Sequence, residues 1–192
     1  MEATAKRAVL ATVAQAVPER KKVARLAASL AKNFKPTVAE SLRRTNELAY
    51  MLYVHERPDL ALQMCGLLND IPFRNDYNLW TWVEATLALE WKLRTLAGET
   101  ARAQACVDAI RATFDTGDES DTILLERRLG GSLFYNEKIT EAEKENNTSL
   151  ERVFRLVQLN ELIFIQSLGG SEALPVPELE RQIDFQLAKL RA

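Results

Sequence analysis

Between Tyr77 and Ala97 the apolar residues of this sequence fall on two sides of a helix. Trp80, Val83, Leu87 and Trp91 make one stripe; Trp82, Ala85, Leu89, Leu93 and Leu96 make another. A surface helix carries one apolar stripe, so a helix apolar on two sides has to lie between neighbours. The spacing therefore predicts a central helix, closed by Gly98 as its C-cap, with other helices packed on it. Composition agrees, because 7 Gly and 6 Pro in 192 residues leave little for a turn-rich β fold. Ala, Leu, Glu, Arg and Lys, all good helix formers, dominate.

The rest of the chain reads the same way. Residues 4–17 form a short Ala-rich helix, and Pro18 suits the first turn of a second helix through about Asn33. Thr37 and Glu40 make a T-x-x-E capping box that starts a third helix, with Val38, Leu42, Thr45, Ala49 and Leu52 as its buried stripe. Pro58 opens a fourth helix through about Asn69, and Pro72 marks a loop over 70–76. A further helix covers about 100–114. Residues 120–135 continue helically, with Gly130-Gly131 as a kink or a point of close approach. Thr140 with Glu143 and Thr148 with Glu151 compete as the capping box of the next helix, with Asn146-Asn147 as the break between them. That helix runs to Leu168, Gly169-Gly170 ends it, and Pro175 and Pro177 introduce a last one. The expectation is an all-α fold of stacked antiparallel helical hairpins, eight to nine helices in one domain over 1–192. Basic helices over 1–35 pack on a hairpin stack over 37–192.

Length and charge set the outer bounds. A chain of 192 residues fits one core, and no apolar run reaches the roughly 18 residues of a membrane span. The basic, Ala-rich first 34 residues lack a continuous apolar core and a cleavage site, so they read as mature helix. Cys65 and Cys106 each sit in an apolar helical stretch and pack as small hydrophobes, which points to a reducing cytoplasm. Residues 1–44 carry ten Lys/Arg against three Asp/Glu, a balance of +7; the remainder carries fifteen against twenty-four, a balance of −9. Such blocks steer a partner of opposite sign.

Nothing in the sequence assembles a reaction centre. The lone histidine, His55, ends a helix and reads as a cap at its negative end. One histidine rules out a multi-histidine metal site. No nucleophile elbow, phosphate loop, C-x-x-C or H-E-x-x-H motif occurs. The twelve residues Asp115–Glu126 imitate a calcium-binding EF-hand loop, but Gly117 stands where a side-chain oxygen is needed and Ser120 where the sharp turn needs glycine. They read as a solvated acidic connection. Glu141, Glu143 and Glu145 read as a solvated face, Arg127-Arg128 as an internal ion pair or a partner-carboxylate site, and the tryptophans as core first. No catalytic residue, metal or cofactor is expected.

Three resemblances follow. Leu48-Ala49, with Ala61 twelve positions after Ala49, resembles a tetratricopeptide hairpin, and residues 37–70 and 77–114 form a loose repeat of it. The stretches Asn78-Leu79-Trp80-Thr81-Trp82-Val83-Glu84, Leu48-Ala49-Tyr50-Met51-Leu52 and Leu168-Gly169-Gly170-Ser171 resemble an uncharacterised family of bacterial helical proteins, which implies no activity. In style the chain is similar to immunity proteins of bacterial toxins. The reading is a protein-binding module without catalysis, most specifically one that neutralises a cognate toxin by occlusion. Its candidate contact residues are Arg74, Asp76, Tyr77, Trp82, Asp118, Glu119, Asp121, Arg127 and Arg128. The alternative is a nucleic-acid-associated regulator using Arg20, Lys21, Lys22 and Arg25; no membrane partner is expected.

Overall fold

The computed structural model describes residues 2–74, 76–112 and 119–192. Among these it contains nine α-helices and no strand: α1 (Ala3–Ala16), α2 (Lys21–Asn33), α3 (Ala39–Val54), α4 (Pro58–Leu68), α5 (Tyr77–Leu96), α6 (Thr100–Arg111), α7 (Glu119–Lys144), α8 (Thr148–Ser167) and α9 (Val176–Arg191). The chain is all-α, and successive helices fold back on one another as stacked hairpins: α1 on α2, α3 on α4, α7 on α8, α8 on α9. The contacts divide the chain into two compact units, one ending at Leu93 and one beginning at Arg94.

In the first unit α2 also packs on α3, and α1 on α4. Leu10, Val13, Ala27, Phe34, Leu48, Ala49, Ala61 and Leu67 are fully buried, so the small residues of the expected hairpin do sit at its core. Helix α5 is buried over seven consecutive residues, Val83 to Leu89, which takes in its whole circumference. That is the two-sided burial its pattern required. Polar groups fix it against α3: Asn46 Nδ2 donates to Thr86 Oγ1 at 3.1 Å, and Tyr50 Oη donates to the Ala85 carbonyl at 3.1 Å. Leu96, assigned to the second stripe, is instead 67% exposed.

Several helix starts differ from the sequence expectation. Pro18 lies in the turn between α1 and α2, and α2 begins only at Lys21. The Thr37–Glu40 box is not formed: Val38 is the N-cap of α3 and no side chain caps it. At α8 the cap is Asn147, whose Oδ1 accepts from the Leu150 N–H at 3.1 Å, so Thr148 is the first helical residue rather than the cap. Thr140 is no start at all. It lies inside α7 and its Oγ1 donates back to the Asn136 carbonyl at 3.0 Å.

Helix α7 therefore runs unbroken through Gly130-Gly131 and on to Lys144. Its inward stripe is Leu124, Arg128, Ser132, Ile139 and Ala142, all buried, and two of these five are polar. The turn after α7 is made by Asn146 in the left-handed region at φ 54°, so the break at Asn146-Asn147 lies where the sequence indicates. Cys65 and Cys106 are buried free thiols.

Candidate functional site

The first unit contains a pocket of about 270 Å³. Lys6 of α1 reaches it from one side, and Pro36 and Thr37 from the connection between α2 and α3. The α4–α5 connection lines it with Asp70, Ile71, Pro72, Phe73, Arg74 and Asp76; the first turns of α5 supply Leu79, Trp80 and Val83. Asp76 places the start of α5 here, since its Oδ1 accepts from the N–H groups of Asn78 and Leu79 at 3.0 and 3.3 Å. The Phe73 ring then lies 5.1 Å from Tyr77 and 5.5 Å from Trp80, tilted against both, and the three rings brace one another.

Lys6 is the unexpected member. Only 2% of its surface is exposed. Its ammonium donates to the Leu67 carbonyl at 2.6 Å and to the Asp70 carboxylate, tying α1 to the end of α4. Burial alone would push the Asp70 carboxyl up, but the hydrogen bond and charge of Lys6 help hold it below the ordinary carboxylate range. Sequence reasoning missed Lys6 because a lysine in a basic, Ala-rich helix looks solvated; the acid that claims it is 64 residues away.

The contact residues expected from the sequence separate into groups. Arg74, Asp76 and Tyr77 come together at this pocket, all on the exposed side. Trp82 is half-buried on α5 and does not line the pocket. Asp118 lies outside the described residues, as do Asp115 to Gly117 of the acidic connection and the side chain of Glu119. Asp121 is held by Arg111 through two hydrogen bonds of 2.8 and 2.6 Å. Arg127 is exposed on α7, whereas Arg128 is buried. Arg128 makes the internal ion pair with Glu161 at 3.2 Å and lies 4.1 Å above the Phe164 ring, which takes it out of a partner's reach. His55 occupies the C-cap position of α3, as its place at a helix end suggests.

In the second unit the polar residues of α8 face inward. Arg155, 2% exposed, donates to Glu151 on its own helix at 2.7 Å, to Glu143 of α7 at 2.6 Å and to Gln186 of α9 at 2.9 Å. Gln158 Nε2 donates to Ser132 Oγ at 3.0 Å. A Cβ at Gly131 would stand 3.2 Å from the Glu161 carboxyl carbon, so this glycine leaves room for the carboxylate that pairs with Arg128. These acids and bases are joined to one another in helix packing. Large apolar side chains take the outside instead: Ile123, Leu133 and Phe134 on α7, Leu150 and Val153 on α8, and Phe185 on α9 are all exposed.

Among the described residues no group of three or more His, Cys, Asp or Glu is arranged to hold a metal ion. Nor is any helix long and apolar enough to cross a membrane. The model of a family described as a family of unknown function (DUF6707) matches residues 1–192. Neither the curated proteins nor the solved structures yielded a match.

Proposed function

Since the chain belongs to this family of unknown function over its whole length, we propose a function from its own geometry: a non-catalytic module that binds one protein partner. In its sharpest form it is a tetratricopeptide-like immunity protein that occludes a cognate toxin in the cytoplasm. One observation carries the reading, the exposure of Phe134 on α7 and of Leu150 and Val153 on α8, the two helices that pack together in the second unit. Large apolar side chains left exposed on elements that pack together are candidates for a contact surface. Lys138, 5.6 Å from the Phe134 ring and paired with Glu141 at 2.6 Å, adds a polar rim beside them. Of the inward charges, Lys6, Arg128, Arg155 and Glu161 are engaged in structural pairs.

Tagged full-length protein from its native host should retain one partner stoichiometrically, encoded beside it. The two purified proteins should bind each other, and a toxic partner should lose activity in the complex. No retained partner, together with no binding to the products of adjacent genes, would refute the reading.

A second reading rests on α2. Arg20, Lys21, Lys22, Arg25 and Lys32 are exposed on or beside it, a basic face suited to nucleic acid. Arg7 and Lys6 do not join that face, because both are engaged inside the first unit. Binding to duplex DNA or RNA should then weaken steeply with salt. A flat low-salt titration removes it.

A further inference from the structure

We propose that the pocket of the first unit is an anchor site that takes one aromatic side chain of the protein partner. The inference rests on the protein-binding reading above and names the part of the partner that this surface recognises. Size is the first argument. At about 270 Å³ the pocket lies at the small end of the roughly 300–1,000 Å³ typical of ligand sites. One large side chain is the scale of what it admits, and interface anchors are commonly single aromatic residues seated in such pockets.

Wall chemistry is the second. Val83 is fully buried at the pocket's base, Trp80 is 8% exposed, and Phe73 is wedged between Trp80 and Tyr77. An entering ring meets a braced aromatic wall, with tilted packing open to it.

Charge is the third. Among the lining residues Lys6 and Arg74 are matched in number by Asp70 and Asp76, so the lining side chains carry no formal excess of positive charge to select a phosphate or nucleotide.

The test is a methyl-resolved NMR titration of the full chain with indole and p-cresol, the side-chain analogues of Trp and Tyr, and with inorganic phosphate. Indole or p-cresol at millimolar concentration should shift the methyls of Ile71, Leu79 and Val83 saturably, while phosphate leaves them in place. Thr37→Trp or Arg74→Trp, each at an exposed position on the lip, should weaken binding about tenfold or more. Both variants should keep the wild-type helical spectrum; if one unfolds, the other decides. Unmoved methyls with both aromatic probes, an equal or larger response to phosphate, or wild-type affinity in a folded lip variant would overturn the anchor site. The titration needs no partner, so it is separable from the proposed function. A partner that binds Thr37→Trp as tightly as wild type removes the anchor and leaves protein binding standing.

Discussion

Arg128 and Glu161 show what a buried charge requires of its surroundings. Each is under 10% exposed, so neither is well solvated, and the pair survives because Phe164 lies beneath the guanidinium and Gly131 makes room for the carboxylate. Removing one partner strands the other. Arg128→Met should destabilise the fold by roughly 3 kcal/mol, and adding Glu161→Met should restore much of that loss in urea unfolding. The adjacent glycines separate propensity from packing. At Gly130 a Cβ meets nothing within 4 Å, so Gly130→Ala should stabilise by about 0.5–1 kcal/mol. Gly131→Ala gains the same propensity but crowds Glu161, so it should be the less stable of the two. On α9, hydrogen bonds from Arg181 and Gln182 lower the Glu178 carboxyl from its ordinary 4.5 to about 2. The folded state then holds this proton less tightly than the unfolded one. Its contribution is complete above about pH 4.5 and is lost as pH falls toward about 2. Glu178→Gln should therefore flatten the acid limb of the stability profile in that window.

Helix ends are closed from outside in a recurring way. Arg7 of α1 donates twice to the Phe34 carbonyl after α2, Arg57 before α4 donates to the Ala16 carbonyl of α1, and Arg152 of α8 donates to the Leu190 carbonyl of α9. The last carbonyls of a helix have no partner within it, and a guanidinium meets both the orphan acceptor and the negative end of the dipole. Arg7, together with the buried Lys6, explains why the basic first helix is not simply a solvated charge block. Helix starts were harder to read, because two T-x-x-E sequences place the right residues one position away from the real cap. Asn147→Ala should cost about 1 kcal/mol of stability while Thr148→Ala costs much less, measured by thermal unfolding. The reverse order would restore the capping box at Thr148. The length of α7 was hidden for a related reason. Its inward stripe includes Arg128 and Ser132, which a hydrophobic pattern counts as outward-facing.

Across the molecule, polar and apolar side chains are partly exchanged in the second unit: arginine, glutamine and glutamate of α8 lie inside, while Phe134 and Val153 stand outside. Such an inversion costs stability unless the inner groups are paired and the outer ones have a use. Phe134→Asp with Val153→Asp should therefore leave the far-UV spectrum and melting temperature near wild type, since both side chains are half or more exposed. The same pair of changes should abolish capture of the proposed partner; undiminished capture would move the interface elsewhere.

Helical class, the two-sided burial of α5, the break at Asn146-Asn147 and the absence of familiar catalytic motifs were all legible in residue spacing. Each depends on neighbours within a few turns, and the 3.6-residue period records those neighbours directly. The internal pairing of Arg128 was expected, though not its partner Glu161; the placements of Lys6, Arg155 and Val153 were not legible, and neither was the pocket. A charged side chain enters a core only when an acceptor from another part of the chain meets it, as Asp70 of the α4–α5 connection meets Lys6 from 64 residues away. Arg74, Asp76 and Tyr77 were named from sequence as contact residues, but what they surround is built by side chains from α1, the α2–α3 connection and α5. Long-range partners of that kind leave no periodic trace along the chain.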